Sequence, residues 1–244
     1  MAGFEFQAAP ARLPAGERIY AIGDIHGCAP LLAALHAQIA EDLAARPAAR
    51  ALLVHVGDFV DKGPDSAGVI DLLLRGAPAG LPMVNLMGNH ERTMLDALGG
   101  ERAAVTDFRM TGGVEALASW GIDAASDPAG WAGRLPPDHL GFLNALSLTH
   151  RHGPYLFVHA GIRPGVPLEQ QEPDDLLRIR HGFLESPADF GCIVVHGHTP
   201  SRGPVVRANR IGIDTGAVFG RELTCVVLED DRLGFLSVSA TPST

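Results

Sequence analysis

The chain of 244 residues is poor in cysteine, with three residues and no Cys-x-x-Cys pair. These are Cys28, Cys192 and Cys225, and the last two lie inside apolar runs that predict strands. The small number and wide spacing exclude a disulfide framework and a structural zinc site. We therefore expect reduced, buried thiols and a cytoplasmic protein.

Long apolar runs and an excess of positive charge are absent as well. No stretch approaches the roughly 18 apolar residues that a membrane span needs. The first 18 residues lack the apolar core of a secretory signal. We therefore expect a soluble protein with no membrane partner. The formal net charge of −9 repels polyanions, so we expect no nucleic-acid partner. Oligomeric state is open at this stage.

The first 100 residues show three strand–helix units in their hydrophobic periodicity. The strands are predicted at 18–24, 51–58 and 83–90, and the helices that follow them at 30–45, 65–76 and 91–100. This alternation predicts right-handed crossovers and a mainly parallel sheet covered by helices.

The remainder of the chain departs from that alternation. Residues 101–152 lose the strand signal and carry helical fragments, so they predict a helical insertion. Strand-like runs return at 154–162, 192–199, 209–216, 222–230 and 232–239, with a helix predicted at 174–184. The last strands follow one another closely and predict antiparallel pairs. No repeat or linker divides the chain, so we expect one domain over residues 1–244, with residues 1–17 as an N-terminal arm.

Ionisable and metal-binding side chains follow five of these strands, at the point where each strand ends. They are Asp24 and His26 in GDIHG, Asp58 and Asp61 in GDFVD, Asn89 and His90 in GNHE, His159 in VHAG, and His196 and His198 in HGHT. The carboxyl ends of strands form the ligand crevice of open α/β sheets. Unrelated turn residues would explain one or two such endings, but not five with histidine in four.

Carboxylates brought together raise one another's pKa values unless cations lie between them. Carboxylate, amide oxygen and imidazole are the ligands that Mn²⁺, Fe or Zn²⁺ prefers. Two ions fit best, because a shared aspartate can bridge ions about 4 Å apart and serve phosphoryl displacement. Asp58, on the middle strand of the first three, is the candidate bridge.

The five motifs GDIHG, GDFVDKG, GNHE, VHAGI and HGHT occur in that order over residues 23–199. This series resembles that of the calcineurin-like metallophosphoesterases, and five ordered motifs are far more specific than one. GDFVDKG, GNHE and the later DTGAVFG resemble the phosphoprotein phosphatase branch of bacterial Ser/Thr type. The resemblance implies an α/β fold, a four-layer α/β/β/α sandwich with mixed sheets.

The resemblance also implies two divalent cations, Mn²⁺ ahead of Fe or Zn²⁺. Asp24, His26 and Asp58 would hold the first ion, and Asp58, Asn89, His159 and His198 the second. His196 is left to packing or a supporting contact. His90 would protonate the leaving oxygen, and Asp61 would orient it. A metal-bridging hydroxide would attack phosphorus directly, with no phosphoenzyme.

Three residues are expected to hold the phosphate group: Lys62, Arg180 and Asn89. Lys62 stands where eukaryotic relatives carry arginine, which replaces a bidentate fork with a point charge. Met87 stands where many protein phosphatases have an arginine, so that phosphate contact is either missing or supplied elsewhere, by Arg92 or Arg180. Pro200 follows HGHT where nuclease and phosphodiesterase relatives have a histidine, and this favours monoester chemistry.

Other polar and aromatic residues are expected to serve packing or the surface. They are His36, His55, His139, His150, His152 and His181, with Trp120 and Trp131 packing in the helical insertion. Asp214 is either a turn residue or a hydrogen-bond partner of His198.

The favoured function is a phosphomonoesterase acting on phosphoserine, phosphothreonine or phosphotyrosine in proteins, or on a phosphorylated small molecule. The alternative is a symmetric bis(5'-nucleosyl)-tetraphosphatase, whose motif order is similar but whose second motif departs from VDKG. A catalytically silent metal-containing binding module is a third hypothesis. The complete set of acid, base and metal residues argues against it.

Overall fold

The computed structural model describes residues 5–239, and within that range the chain forms two mixed sheets. The strands are β1 (Gln7–Ala8), β2 (Glu17–Ile22), β3 (Arg50–His55), β4 (Met83–Asn85), β5 (Thr149–His152), β6 (Tyr155–Val158), β7 (Ile193–His196), β8 (Val205–Val206), β9 (Arg210–Gly212), β10 (Glu222–Glu229) and β11 (Arg232–Ser239). One sheet has the order β1-β11-β10-β2-β3-β4 and the other β5-β6-β7-β9-β8. β2, β3 and β4 are parallel, as are β6, β7 and β9, whereas β10 and β11 form an antiparallel hairpin.

Helices connect the parallel strands and form the insertion. They are α1 (Ala29–Ala45), α2 (Ser66–Leu74), α3 (Asn89–Leu98), α4 (Arg102–Phe108), α5 (Val114–Ser119), α6 (Pro137–Asn144) and α7 (Pro173–Arg178). Local signals set their starts: α1 has Pro30 in its first turn, and the Asp65 carboxylate accepts a hydrogen bond from Gly68 N to cap α2. No helix of residues 5–239 combines the length and apolar character needed to span a bilayer.

Three apolar cores separate four layers. Leu53 faces the helices that cover the six-stranded sheet, where it packs in one core with Leu32 of α1. Val54, the next residue of β3, points to the opposite face and packs in a second core with Phe157 of the other sheet. A third core lies between the five-stranded sheet and α7. The architecture is the α/β/β/α sandwich that the motif series implies.

Several element boundaries differ from those predicted. α7 ends at Arg178 rather than at residue 184, because Ile179 is extended and Gly182 adopts a φ of 81°, which turns the chain away from a helix. Residues 86–88 are not strand, since β4 ends at Asn85. Thr149–His152, at the end of the stretch expected to be helical, form strand β5 against β6.

Candidate metal centre

Parallel strands bring the five motifs to one end of the sandwich. The loops after β2, β3 and β4 leave one sheet beside those after β6 and β7 of the other. Seven non-glycine residues of 5–239 have positive φ, and five of them lie in these motifs: His26, Asp58, Asp61, Lys62 and His198. Left-handed backbone at such residues costs free energy and persists where the surroundings enforce it, commonly at functional sites.

Asp58 lies at the centre of the assembled side chains. Its Oδ2 is 3.3 Å from Nε2 of His26, and its Oδ1 is 3.4 Å from Nε2 of His159. Two groups of potential ligand atoms, each within 4.8 Å of one another, share this aspartate. One comprises His26, Asp58 and His90, and the other Asp58, His159 and His198. The geometry matches the position expected of a bridging carboxylate.

Lone pairs converge beside His159. Its Nδ1 donates to the Val56 carbonyl oxygen at 3.0 Å, which leaves Nε2 with a lone pair. That Nε2 lies 3.0 Å from Oδ1 of Asn89 and 3.4 Å from Oδ1 of Asp58. Burial lowers the pKa of His159 to about 4, so the ring is neutral at pH 7. These three acceptor atoms face one another, and a cation bound among them would satisfy their lone pairs.

Carboxylates are also crowded at this end of the sandwich. Asp24, Asp58 and Asp214 are all buried. Burial raises the pKa of Asp24 well above its usual range, and the charges of Asp214 and Asp58 raise it further. Burial also lowers the pKa of His198 to about 3, and a neutral imidazole is the form that binds metals. Carboxylates, an amide oxygen and neutral imidazoles fit divalent ions such as Mn²⁺, Fe or Zn²⁺.

Asp24 lies on the far side of Asp58 and is held by backbone. Both of its carboxylate oxygens accept a hydrogen bond from His198 N, at 3.1 Å. A Cβ at Gly197 would overlap Asp24 Oδ1, so only glycine permits this approach. The structure therefore gathers all six predicted ligands at one site: Asp24, His26, Asp58, Asn89, His159 and His198. Their role as metal ligands stays a prediction.

His90 and Asp61 are in contact, and their role as the acid and its orienting partner stays a prediction. His90 Nδ1 donates to Asp61 Oδ2 at 2.6 Å, which leaves Nε2 pointing at the pocket. Lys62 Nζ lies 3.0 Å from that Nε2 and 2.8 Å from Nε2 of His26. The Nδ1 atoms of both rings donate elsewhere, that of His26 to the Val60 carbonyl oxygen and that of His90 to Asp61, so both Nε2 atoms face the ammonium group. The Lys62 ammonium group therefore contacts the His90 ring, and that ring in turn donates to the buried Asp61 carboxylate.

The pocket over these residues has a volume of about 100 Å³. Arg180 and Lys62 line it, and Arg180 Nε donates to Nε2 of His198 at 3.1 Å. Pro200 and Phe219 form part of its wall, and Phe219 is 60% exposed. Arg92, the other arginine considered for phosphate contact, is not among the lining residues and faces Asp96.

The sequence motifs did not reveal the role of Glu91. Glu91, the last letter of GNHE, is fully buried, and its two carboxylate oxygens accept four backbone N–H bonds from Asp58, Phe59, Val60 and Gly88 at 2.7–3.0 Å. Burial, with the charge of Asp58 nearby, raises its pKa to about 7. Glu91 therefore fixes the loop that carries Asp58. Its place in the motif was visible, but the motif alone does not reveal these contacts.

The structure also gives the contacts of Asp214 and His196, for which the sequence left two alternatives each. Of the two alternatives for Asp214, the structure has the turn residue rather than the partner of His198, because Asp214 Oδ1 accepts from Gly216 N at 3.0 Å. Asp214 nevertheless lines the pocket beside Asp24. His196 lies in β7 with its ring against Phe183, outside the pocket lining. This location agrees with the packing role expected of His196.

The fold and the site together define a metal-dependent phosphoesterase, in which buried carboxylates and imidazoles lie at a pocket that Lys62 and Arg180 also line. The chain belongs to the calcineurin-like phosphoesterase family, whose model matches residues 17–235. It is a metal-dependent phosphoric ester hydrolase, and the family uses two metal ions.

Two curated relatives represent two kinds of substrate. Serine/threonine-protein phosphatase 1 of Salmonella typhimurium is 29% identical over 226 residues, covering 84% of this chain and 89% of the relative. The symmetrical bis(5'-nucleosyl)-tetraphosphatase of Dechloromonas aromatica is 32% identical over 290 residues, covering 91% and 96%. The crystal structure of a candidate diadenosine tetraphosphatase is 24% identical with a TM-score of 0.65, covering 95% of this chain and 97% of that one. This last likeness concerns the fold alone.

Proposed function

We propose that this chain is a phosphomonoesterase that removes phosphate from serine, threonine or tyrosine side chains of proteins. The observation that carries the proposal is the small pocket lined by His90, Lys62 and Arg180, with Asp61 hydrogen-bonded to His90 behind it. At about 100 Å³ it suits a terminal phosphoryl group with the rest of the substrate outside. Similarity to the Salmonella protein phosphatase over 84% of this chain supports this substrate class.

Six side chains are proposed to hold two divalent cations, with Mn²⁺ as the favoured metal: Asp24, His26, Asp58, Asn89, His159 and His198. When bound, such ions supply Lewis acidity to the phosphoryl oxygens and activate water as the nucleophile. Lys62 and Arg180 neutralise charge that develops on the same oxygens. They act from fixed positions beside His26 and His198, so little reorganisation is needed.

The leaving oxygen needs a proton, and His90 is placed to give one. Its Nε2 faces the pocket, while Asp61 holds the Nδ1 proton at 2.6 Å and stabilises the charged ring. Asp61 is itself held, because Ser66 Oγ accepts a hydrogen bond from Asp61 N at 2.9 Å. Proton transfer from His90 Nε2 to a serine or threonine alkoxide completes cleavage.

A symmetrical dinucleoside tetraphosphatase is the second candidate. The Dechloromonas relative is 32% identical over 91% of this chain. Phe219 offers a specific feature, because its ring is 60% exposed at the pocket mouth and a nucleobase can stack on such a ring.

A direct comparison of substrates tests the proposal. The Mn²⁺-loaded protein is assayed with phosphoserine, phosphothreonine and phosphotyrosine peptides and with diadenosine tetraphosphate under one condition. We expect kcat/KM to be highest for a phosphopeptide, and a clear preference for the dinucleotide would reverse the order. His90→Asn is the matched control: if the hydrolysis of the best phosphopeptide persists unchanged in it, the assigned chemistry is wrong.

A further inference from the structure

The helical insertion contacts the catalytic loop, residues 57–63, through Phe142, whose ring packs on Phe59, and through the wide turn Arg109–Gly113 between α4 and α5. Gly112 in this turn has a φ of 111°, a region that favours glycine. A Cβ built on Gly112 would lie 2.6 Å from the Lys62 Cα atom, closer than real Cβ atoms come. The backbone of Lys62 therefore rests directly on a glycine of the insertion.

Hydrogen bonds hold the catalytic loop on both sides of Lys62, and Gly63 N donates to the Asp61 carbonyl oxygen at 2.6 Å. Glu91 accepts from the backbone of residues 58–60, and Ser66 Oγ accepts from Asp61 N. In residues 5–239, Lys62 N makes no hydrogen bond, and Lys62 has a φ of 56° that costs free energy. Besides the Gly63–Asp61 hydrogen bond, packing against Gly112 confines the Lys62 backbone.

The turn that supports Lys62 is itself anchored within the insertion. Thr111 Oγ1 donates to the Asp107 carbonyl at 2.8 Å, and both Nε and Nη2 of Arg109 donate to the Ala124 carbonyl. Gly113 packs so tightly on Phe108 that a Cβ would lie 2.6 Å from the ring. Because several contacts fix this turn, it cannot move to make room for an added methyl group. The added group would therefore displace the Lys62 backbone instead.

We propose that Gly112 is a positioning residue for Lys62, so that the insertion sets how tightly the pocket holds phosphate. The inference rests on the proposed role of Lys62 as a phosphate clamp. It does not depend on which phosphate ester is the natural substrate.

Gly112→Ala tests the inference, with Gly121→Ala as the matched control. Gly121 lies in the same insertion with a φ of 68°, but a Cβ there would meet no atom within 4 Å. The readouts are p-nitrophenyl phosphate kinetics, competitive inhibition by inorganic phosphate, metal content and melting temperature. We expect Gly112→Ala to raise the phosphate inhibition constant and to lower kcat/KM by about tenfold or more at unchanged metal content. The control should change neither by more than about twofold.

A double variant separates positioning from general damage. In the Lys62→Ala background, Gly112→Ala should lower kcat/KM by less than about threefold, because the side chain it positions is gone. A full tenfold loss in that background would overturn the inference and indicate action through Asp61 or the fold. Equal phosphate inhibition in wild type and Gly112→Ala would also overturn it.

Thr111→Ala keeps the inference testable if Gly112→Ala does not fold. It loosens the turn without adding volume against Lys62, so we expect about a threefold weaker inhibition by phosphate, and no change would contradict the inference. Inactivity of the wild-type protein on every phosphate ester would count against the proposed function. An active wild type with an unaffected Gly112→Ala would count against this inference alone.

Discussion

Asp58 belongs to both sets of potential ligand atoms, whereas the Lys62 ammonium group contacts the rings of His26 and His90. We therefore expect Asp58→Asn to lower kcat/KM more than Lys62→Ala, since loss of the shared carboxylate affects both metal positions. Removing one charge-stabilising donor typically costs about 10²–10³ in kcat, and Asp58→Asn should exceed this. Metal analysis should find Asp58→Asn depleted and Lys62→Ala fully loaded. Equal losses at full metal content would contradict the bridging role.

His90 should show the signature of a general acid. We expect His90→Asn to lower kcat on a phosphoserine peptide by about 10²–10⁴. The loss on p-nitrophenyl phosphate should be smaller, because nitrophenolate leaves without needing a proton. Parallel assays of the two substrates measure the difference, with metal content as the control. An equal loss on both would argue that His90 serves binding rather than proton transfer.

Glu91 should contribute to stability through its buried hydrogen bonds. Glu91→Gln places an amide NH₂ where one carboxylate oxygen accepted two backbone N–H groups. Leaving these donors unsatisfied should reduce the free energy of unfolding by about 2–4 kcal/mol, measured by denaturant titration. Glu115→Gln, at an exposed position of α5, is the matched control and should change it little. A Glu91 variant as stable as the control would contradict the clamp.

At the residue scale, the sequence predicted which side chains meet but not every contact that holds them. Polar endings of strands identify Asp58 and His159 because parallel strands end together. The contacts of Glu91 and Asp214 depend on the path of a loop in three dimensions. No periodicity encodes that path, and this is why Glu91 was missed and Asp214 was left between two alternatives.

Between α1 and β3, two histidines form a buried neutral pair. Nε2 of His36 and Nε2 of His55 are 3.2 Å apart, and His55 Nδ1 donates to Asn85 Oδ1 at 2.8 Å. Burial lowers the pKa of His36 to about 4 and that of His55 to about 3, from an ordinary value of 6.5. Below pH 6.5 these two histidines bind protons in the unfolded chain but stay neutral in the folded protein, because their pKa values are lower there. Stability is therefore present above pH 6.5 and falls as the pH drops toward 4.

The loss of unfolding free energy at acid pH should therefore be smaller when one of the two histidines is removed. Between pH 7.5 and 5.5, we expect His36→Leu to lose about 1 kcal/mol less unfolding free energy than wild type. His181→Gln, whose side chain is 95% exposed, should follow wild type. Denaturant titrations at the two pH values provide the measurement. An identical loss in wild type and His36→Leu would contradict the buried neutral pair.

At the element scale, strong periodicity predicted the strand–helix units, and glycine or short strands produced the errors. β2, β3 and α1 lie close to their predicted bounds because each carries a clear apolar pattern. α7 is shorter than predicted because Phe183, beyond it, is buried against Gly161 rather than on a helix face. β5, with its exposed and half-buried residues, is specified by pairing with β6 more than by its own sequence.

For the whole molecule, the sandwich was predictable because the motif series comes with a fold, whereas the join between insertion and catalytic loop was not. Gly112 and Lys62 are separated by the whole of α2, β4, α3 and α4. Only the packed structure shows that one rests on the other. In the sequence alone, the adjacent Gly112 and Gly113 indicate only a break in a helical stretch.

The central claim is that the two sheets together form one site for two cations around Asp58. Anomalous diffraction from a crystal of the Mn²⁺-loaded protein tests it most directly. We predict two manganese peaks about 3.5–4 Å apart on either side of the Asp58 carboxylate, with Asp24 and His26 at one and Asn89, His159 and His198 at the other. A single peak, or peaks away from Asp58, would contradict the account.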